Sequence, residues 1–478
     1  MNISMILEMA ASAGNRPVIT VDGRSLTAAQ LLRLARRAAA EFAGDSAVLY
    51  LGANHLAYPV ALFGSVLSAV PFVPLNYRLG DQQLAALIER HPGARVLHPE
   101  DLDALVEDDA GQPEPEPQPA PWDGEAVAAI IYTSGTTSEP KAALLRHRHL
   151  MAYLLNTMEF GAAEESAAAL VSVPPYHIAG LTNLLSNLYS GRRIVYLSAF
   201  DPQVWLETVR DERISHAMLV PTMLARIVAA VSGADAGTPT LDSLAYGGAR
   251  MPRPVLERAL ELFPVTGFVN AYGLTETASS VAVLGPDDHR TAHSSDDPIV
   301  RDRLGSVGRP LPGIEFEIRS AAGEPVPAGE SGLIFVRGEQ ISGEYGARTA
   351  LDADGWFGTR DLGHLDAEGY LFIEGRDDDT IIRGGENIAP AEIEDVLLEY
   401  PGITEVAVIG VPDPEWGQRL VAVVVGTGEP EQIRAWVRAR LRSSKTPDAI
   451  VFRAELPKTE TGKLLRRNLV AELESTHA

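Results

Sequence analysis

Short apolar runs alternate with amphipathic segments through the first half of the chain. The runs AVLYLG (47–52), RIVYL (193–197), HAMLVP (216–221) and VTGFVNAYG (265–273) have the length and composition of buried strands. Between them lie segments such as LTAAQLLRLARRAAAEF (26–42), in which apolar residues recur at helical spacing. Such alternation is typical of parallel sheets covered by helices. The pattern therefore predicts an α/β fold, with a large N-terminal domain of parallel-rich sheets and flanking helices.

The pattern changes at about residue 305, where the apolar runs become shorter and are separated by Gly and Pro. GIEFEIRS (313–320), SGLIFVRG (331–338) and GYLFIEGR (369–376) are typical of short strands joined by tight turns. This region predicts a small antiparallel β unit.

A compact α/β segment forms the end of the chain. It contains two helical patterns, PAEIEDVLLEY (390–400) and PEQIRAWVRARLRS (430–443), and two strand patterns, EVAVIGV (405–411) and RLVAVVVG (419–426). The sequence EDDAGQPEPEPQPAP (107–121) is rich in acid and proline, which predicts an extended linker or surface loop. We expect three parts: a large domain at 1–376, a hinge at 377–379 and a small mobile domain at 380–478.

Residues 56–77 carry no charge and are long enough to span a bilayer, which takes about 20 residues. Pro59, Pro71 and Pro74 interrupt this run, and VPFVPLN within it has the pattern of a strand. We therefore expect a buried helix followed by a core strand. The N-terminus contains Glu8 and no basic leader, which argues against a signal peptide.

The net charge and the amino-acid composition limit the partners and the chemistry that are open to the protein. The formal net charge of −24 argues against a nucleic-acid partner and against docking on an anionic membrane. The chain has no cysteine, so disulfides, thiolate metal sites and a cysteine nucleophile are excluded. We expect a cytoplasmic protein, a monomer or a homodimer.

The first candidate site is YTSGTTSEPK, which begins at Tyr132 after an apolar strand. It lacks the Walker A spacing, but a loop at the carboxyl end of a strand is where α/β proteins usually bind ligands. Hydroxyl and backbone N–H groups could donate to phosphate oxygens, with Lys141 adding a positive charge. The alternative is a polar turn after a strand. The residues of this candidate loop are Thr133, Ser134, Gly135, Thr136, Thr137, Ser138 and Lys141.

The second candidate is NAYGLTETAS (270–279). We expect the chain to leave a strand, turn at Gly273 and present Thr275 and Glu276. A carboxylate beside a phosphate site is a suitable Mg²⁺ ligand, and the ring of Tyr272 could cover an adenine. The alternative is an ordinary helix N-terminus capped by Thr275.

Two further candidates lie later in the chain. Asp361, expected to follow a turn, could accept hydrogen bonds from both ribose hydroxyls, and Arg376 could bond the ribose or a phosphate. The alternatives are a turn cap and a surface ion pair. Lys463, in LPKTETGKLLRRN, could enter the site by domain movement, or it could be the basic start of a helix.

Taken together, these stretches resemble the acyl- and aryl-CoA ligase branch of the adenylate-forming superfamily, closest in pattern to benzoate and fatty acid–CoA ligases. The resemblance covers nearly the whole chain in the family's order. It is also carried by PPYHIAG (174–180), VPTML (220–224), LAYGGARMP (244–252) and GSVGRPLPG (305–313).

The resemblance implies an ATP-dependent reaction in two steps. A carboxylic acid attacks the α-phosphorus of MgATP, giving an acyl-adenylate and pyrophosphate, and a thiol such as CoA then displaces AMP. The small domain rotates between the two steps. The implied cofactors are ATP and Mg²⁺, and the implied partners are a small carboxylic acid and CoA.

The resemblance also implies roles for individual residues. TSGTTSEPK would hold the β- and γ-phosphates, Thr275 would contact the α-phosphate and Glu276 would bind Mg²⁺. Lys463 would neutralise charge on the α-phosphate and acyl oxygens during adenylation. The remaining nucleotide residues would be Gly248, Ala249 and Tyr272 around adenine, with Asp361 and Arg376 on the ribose. Asp378 would be the hinge between the two domains.

The acid and the thiol would meet near His177, which matches the histidine at the acyl pocket and thiol tunnel. Small or apolar side chains around it would suit a flat apolar acid. The implied acid pocket contains His177, Ile178, Ala179, Gly180, Asn270, Ala271, Gly273 and Ala278. The implied CoA contacts are Arg78 and the glycines Gly384 and Gly385.

The chain departs from the family pattern at two places. Ser138 and Ala142 replace glycines of the phosphate loop. In SKTPD, Ser444 and Asp448 replace an aromatic and a basic residue that help to hold the CoA nucleotide in related ligases, and an acid facing a 3′-phosphate would repel it.

Three functions stay open at this point. The first is an acid–CoA ligase for an aromatic or medium-sized apolar acid. The second keeps the adenylate but passes the acyl group to an amine or a carrier-protein thiol, or activates nitrite for an aryl amine as a diazotase. The third is a nucleotide-binding scaffold without turnover.

Overall fold

The computed structural model describes residues 1–107, 123–133, 140–383, 386–413, 416–459, 462 and 464–477, with the backbone alone at 386–387 and 474–477. The expected linker at 107–121 lies almost wholly outside the described residues. In the first 380 residues the described helices are α1 Ser4–Ser12, α2 Ala28–Phe42, α3 Ala57–Leu67, α4 Asp81–Ile88, α5 Leu102–Val106, α6 His147–Thr157, α7 Ile178–Ser190, α8 Pro202–Asp211, α9 Pro221–Ala230, α10 Arg253–Leu262, α11 Pro286–Ser294 and α12 Pro298–Asp302.

The strands of the same region are β1 Pro17–Val21, β2 Arg24–Thr27, β3 Val48–Tyr50, β4 Phe72–Pro74, β5 Arg95–Leu97, β6 Val127–Thr133, β7 Lys141–Arg146, β8 Ala168–Val171, β9 Arg193–Tyr196, β10 His216–Leu219, β11 Ser243–Gly247, β12 Gly267–Leu274, β13 Ser279–Leu284, β14 Arg309–Pro310, β15 Glu315–Arg319, β16 Gly332–Arg337, β17 Glu344–Tyr345, β18 Arg348–Thr349, β19 Phe357–Leu365 and β20 Leu371–Arg376.

Two large sheets form the core of this region. One has nine strands in the order β14-β13-β12-β11-β10-β8-β9-β1-β2, and its central strands β12 to β9 run parallel. The other has seven strands in the order β18-β17-β7-β6-β4-β3-β5. Because parallel neighbours need crossover connections, the helices between the strands cover the sheets. The predicted parallel-rich α/β architecture is confirmed.

Helix α2 shows how local sequence sets these elements. Thr27 accepts a hydrogen bond from the backbone N–H of Gln30 at 3.2 Å, and the Gln30 side chain accepts one from the backbone N–H of Thr27 at 2.9 Å. This capping box starts the helix, and the apolar face that includes Leu31, Leu34 and Phe42 is buried.

The uncharged run at 56–77 forms α3 and β4, both deeply buried, which confirms the expected helix followed by a core strand. Among the described helices, none has the length and apolar character required to cross a membrane.

The predicted antiparallel β unit is a four-stranded sheet in the order β15-β16-β19-β20. Ile318, Ile334, Val336 and Leu371 fill a separate apolar cluster beneath it. This sheet holds Asp361 and Arg376 on neighbouring strands, which positions part of the site described below.

The last hundred residues form β21 Ile381–Arg383, β22 Glu386–Ile388, α13 Pro390–Leu398, β23 Ile403–Asp413, β24 Gly417–Gly426, α14 Pro430–Arg438, β25 Ala449–Arg453 and α15 Arg466–His477. Strands β23, β24 and β25 make a three-stranded sheet with an apolar cluster on each face. Helix α14 ends at Arg438, five residues before the end of the predicted helical pattern. The boundary at 377–379 and the mobility of this lobe stay predictions.

Candidate active site

The candidate phosphate loop joins β6 to β7. Ser134, Gly135, Thr136, Thr137 and Ser138 lie outside the described residues. Thr133 and Lys141 were expected in the loop, but they are paired strand residues at its two ends, and the Thr133 hydroxyl donates to the Lys141 carbonyl at 3.4 Å. Backbone pairing continues to the base of the loop because β6 and β7 form an antiparallel hairpin.

The turn expected at Gly273 lies further along the chain. Strand β12 continues through a register shift to Leu274, and the reversal is a 3₁₀ turn, Thr275–Thr277, closed by Ala278 at φ +50°. A β-carbon on Gly273 would lie 2.0 Å from the carbonyl oxygen of Ser279. Gly273 is therefore required for the close approach of β13 rather than for a turn.

This reversal buries Glu276 beneath strand β17. The Tyr345 hydroxyl donates a short hydrogen bond to Glu276 Oε1, and the Glu276 carbonyl accepts from the Ser342 N–H at 2.8 Å and the Gly343 N–H at 3.3 Å. Burial, followed by the Glu276 charge, raises the pKa of Tyr345, which stays a protonated donor.

Lys141 also approaches Tyr345: its Nζ lies 5.8 Å from the centroid of the Tyr345 ring. The base of the candidate phosphate loop and Glu276 therefore meet at Tyr345. Thr275, partly exposed, opens the 3₁₀ turn beside them.

Asp361 lies within strand β19, not after a turn, and is paired with Arg376 of β20. Its Oδ1 is 3.1 Å from Arg376 Nη1, and its Oδ2 accepts from the Tyr272 hydroxyl at 2.6 Å. The Asp361 side chain is only 6% exposed, so this is not a surface ion pair. Burial and the neighbouring carboxylate raise the pKa of Tyr272.

These residues suit a nucleotide held with Mg²⁺. The carboxylate of Asp361 is an acceptor of the kind that binds ribose hydroxyls. Among the described residues no group of three His, Asp or Glu side chains could hold a metal alone. A single carboxylate, Glu276, fits Mg²⁺ that takes its other ligands from phosphates and water.

The candidate adenine residues Gly248 and Ala249 follow strand β11. Gly248 has φ +83° and Ala249 is partly exposed. Gly247 precedes them, and a β-carbon there would lie 2.3 Å from the Ala271 carbonyl. Gly247 therefore lets β11 approach β12 closely, and Gly248 supplies the positive φ with which the chain leaves the strand.

His177 is the residue before helix α7, and its ring centroid lies 4.6 Å from that of Tyr176. Ile178 and Ala179 are partly exposed in the first turn. Gly180 is buried, and a β-carbon there would lie 2.7 Å from the Pro174 carbonyl. Gly180 lets α7 pack on the loop that holds His177.

The other residues predicted to line the acid pocket differ in exposure and in the direction of their side chains. Asn270 and Ala271 are consecutive in β12, so their side chains point to opposite faces of the sheet. Asn270 donates to the Ser306 carbonyl at 3.1 Å, and Ala278 has no exposed surface. The role of Asn270 and Ala278 in an acid pocket stays a prediction.

A row of rings connects His177 to the candidate CoA residue Arg78. Tyr176 lies 5.8 Å from Tyr77, and the Arg78 guanidinium lies 5.3 Å from the Tyr77 ring centroid. Gly384 and Gly385 lie outside the described residues.

Asp448 does not present the unpaired charge that the sequence suggested. Its Oδ1 accepts from Arg383 Nη2 at 2.7 Å, and its Oδ2 accepts from the Leu420 N–H at 2.9 Å. This acid therefore ties β21 to the SKTPD segment, and the paired charge repels an anion less than a free one would.

The two lobes touch near the predicted catalytic lysine. Lys463 lies outside the described residues, but Gly462 packs so closely on Thr222 at the start of α9 that a β-carbon would lie 2.3 Å from its methyl group. Arg250 of the large lobe also pairs with Asp395 of α13. Asp378 lies in a 3₁₀ turn, 3.6 Å from Arg360.

Sequence reasoning missed Tyr345 and Arg250. Tyr345 reaches Glu276 across 69 positions and Arg250 reaches Asp395 across 145. Neither residue stands in a local pattern that indicates its partner, so only the folded chain identifies them.

The sheets carry hydroxyl, carboxylate and guanidinium groups near strand ends and turns, which is where α/β enzymes usually bind nucleotides. The model of the AMP-binding enzyme family matches residues 7–345, and that of the AMP-binding enzyme C-terminal domain matches residues 392–463. The chain belongs to this adenylate-forming family of ATP-dependent, AMP-forming ligases, which confirms the resemblance. The family uses ATP and Mg²⁺.

Three known proteins illustrate the similarity. The chain is 37% identical over 474 residues to a feruloyl-CoA synthase of Amycolatopsis, covering 93% of each chain. It is 26% identical to the O-succinylbenzoate coenzyme A synthetase of Bacillus subtilis solved with ATP and magnesium, with TM-score 0.82 and coverage of 97% of this chain and 98% of that one. It is also 26% identical to the amide bond synthetase McbA of Marinactinospora thermotolerans, with TM-score 0.85 and coverage of 98% and 99%.

Proposed function

We propose that the protein is an acid–CoA ligase that activates an aromatic or medium-sized apolar carboxylic acid as its adenylate. The observation that carries this proposal is the convergence of Lys141, Tyr345 and Glu276. A lysine and a buried carboxylate that both approach Tyr345 support a site for a magnesium-bound triphosphate, which requires a cation and a metal-binding carboxylate.

Each group then has a defined task. Asp361 and Arg376 hold the ribose, while Tyr272 orients Asp361 through its 2.6 Å hydrogen bond. Glu276 would hold Mg²⁺, which would neutralise part of the phosphate charge. Lys463 stabilises the charge that develops on the α-phosphate and acyl oxygens during adenylation.

The choice of an apolar acid rests on His177, Ile178, Ala179, Ala271 and Gly273. These side chains are small or apolar apart from the histidine. The similarity to a feruloyl-CoA synthase supports an aromatic acid.

The assignment of CoA as the acyl acceptor is the more specific part of the proposal. The pairing of Asp448 with Arg383 removes one objection to a phosphorylated acceptor. The similarity to an amide bond synthetase makes an amine the alternative acceptor.

We further propose that the enzyme acts in the cytoplasm, as a monomer or homodimer, without a nucleic-acid or membrane partner, in keeping with its net charge of −24 and lack of cysteine.

Pyrophosphate release from MgATP tests the proposal. The panel should contain cinnamic, benzoic and medium-chain fatty acids, each with and without CoA. We expect acid-dependent release that CoA accelerates, with a thioester as product. Release that is indifferent to CoA would contradict the assignment of CoA as the acceptor, and the absence of pyrophosphate exchange with every acid would favour a scaffold.

A further inference from the structure

Tyr345 contacts two groups of opposite charge in the candidate site. Its hydroxyl donates a short hydrogen bond to Glu276 Oε1, and its ring centroid lies 5.8 Å from Lys141 Nζ. Yet neither Lys141 nor Glu276 forms an ion pair with any residue that the structure describes. Both charges therefore remain available to a ligand, with a neutral side chain in contact with each.

Glu276 lacks the cation that a buried carboxylate usually requires. It is 8% exposed, and within the described part of the chain the Tyr345 hydroxyl is the one hydrogen-bond donor to its side chain. Removal of a carboxylate from water is unfavourable unless it is paired or coordinates a metal. Because Tyr345 engages Oε1, Oε2 is the oxygen that is left for a cation.

Strand β17 is anchored so that Tyr345 keeps this direction. The strand has two residues and pairs with β7 at one position, Tyr345 with Ala143. Glu344, the residue before, accepts from Arg146 Nε at 2.9 Å and from Arg146 Nη2 at 2.7 Å. A bidentate contact between an arginine and a carboxylate fixes the geometry as well as adding energy. It therefore anchors a strand that has little backbone pairing of its own.

We propose that Tyr345 is a positioning residue for the metal: its hydroxyl fixes Glu276 so that Oε2 is left for Mg²⁺, and its ring holds Lys141 away from this carboxylate. A hydrogen bond from a neutral hydroxyl orients the carboxylate without neutralising it. A cation–π contact gives the lysine a partner that leaves its charge intact for phosphate. The inference rests on the proposed function and deepens it, because it names the side chain that prepares the metal ligand.

The alternative is that Tyr345 is an ordinary tyrosine whose hydroxyl has found an acceptor. Tyr370 provides the comparison, because its hydroxyl donates to Asp288 Oδ1 at 2.6 Å, and neither Tyr370 nor Asp288 belongs to the candidate site. If Tyr345 has only a structural role, loss of either hydroxyl should affect ATP binding equally. Tyr370→Phe is therefore the matched control for Tyr345→Phe.

The test measures ATP affinity by calorimetry for wild type, Tyr345→Phe and Tyr370→Phe, first in EDTA and then in excess Mg²⁺. The ratio of the two affinities is the gain that the metal provides. Loss of a hydrogen bond to a metal ligand typically lowers metal affinity by roughly 10- to 100-fold. We expect Tyr345→Phe to lose that factor from the gain while its affinity in EDTA stays close to wild type, and Tyr370→Phe to keep the whole gain.

Each other outcome contradicts the inference. Equal gains in wild type and Tyr345→Phe would overturn it, as would a wild type whose ATP affinity does not depend on Mg²⁺. A loss of equal size in EDTA and in Mg²⁺ would assign Tyr345 a merely structural role. No acid and no CoA enter this measurement, so a failure of the acid panel would contradict the proposed function without changing the result for Tyr345.

Tyr345→Ala tests the role of the ring. Without the ring, Lys141 can pair with Glu276, and its charge is then no longer available to ATP. We expect the affinity for ATP in EDTA to be about tenfold lower in Tyr345→Ala than in Tyr345→Phe, the usual effect of a lost charge-assisted contact. Equal affinities in EDTA for the two variants would show that the ring does not keep Lys141 free.

Discussion

His289 on helix α11 is a fully buried histidine that is neutral in the folded protein. Its Nδ1 donates to the Gly285 carbonyl at 2.8 Å, which leaves Nε2 to accept from the Tyr246 hydroxyl at 2.8 Å. Burial lowers the pKa of His289 to about 4. The neutral ring satisfies both partners, and protonation removes the acceptor that Tyr246 uses.

This arrangement predicts a loss of stability in acid. The unfolded chain binds a proton near pH 6.5 and the folded chain only near pH 4, so stability present above pH 6.5 is lost as the pH falls between these values. We expect the difference in unfolding free energy between wild type and His289→Asn to shrink by about 1 kcal/mol from pH 7.5 to pH 5.5. Urea denaturation at both pH values measures it, and an unchanged difference would contradict the neutral assignment.

Single residues also show what the sequence could and could not reveal. The chemistry of Asp361 and Glu276 follows from residue type and motif, because carboxylates bind hydroxyls and Mg²⁺. Their partners Tyr272 and Tyr345 do not follow, since each contact joins strands remote in sequence. Asp448 appeared as an unpaired acid only because Arg383 lies 65 positions away.

At the scale of elements, the reversal between β12 and β13 places Glu276. Apolar runs located both the parallel strands and helix α2, because burial dictates their periodicity. The end of β12 could not be located in this way, since a register shift lets the strand continue past Gly273. Close approach of two backbones, and not local turn preference, makes the glycine necessary there.

Gly273→Ala tests this reading of the reversal. The added β-carbon would lie 2.0 Å from the backbone oxygen of Ser279, so the turn must move and carry Glu276 with it. We expect ATP–pyrophosphate exchange to fall by on the order of 10²-fold, the usual effect of a misplacement of about 1 Å. Gly305→Ala, where a β-carbon meets nothing within 4 Å, should be close to wild type. Near-normal exchange by Gly273→Ala would show that the turn does not position Glu276.

At the scale of the whole molecule, the contacts between the two lobes decide whether residues of both lobes can form a single active site. Gly462 rests on Thr222, and Arg250 pairs with Asp395. The sequence predicted two lobes from their change in pattern, but their relative placement depends on such remote contacts. This arrangement brings Gly462, the neighbour of Lys463, into contact with the large lobe.

Charge exchange across the lobes tests that arrangement. Both side chains are 47% exposed, so the pair should contribute at most about 1 kcal/mol. We expect Arg250→Asp and Asp395→Arg each to slow adenylation about two- to fivefold, and the double exchange to restore it. If the rate losses of the two single variants instead multiply in the double variant, the ion pair does not form during adenylation.

Acid-dependent ATP–pyrophosphate exchange by Lys463→Ala is the most direct test of the central claim, that the small lobe's lysine and the large lobe's phosphate site act on one triphosphate. The account predicts a fall of on the order of 10²- to 10³-fold with ATP binding retained. Lys458→Ala, which removes a lysine paired with Glu405 in the same lobe, should leave exchange near wild type. Near-normal exchange by Lys463→Ala would contradict the account.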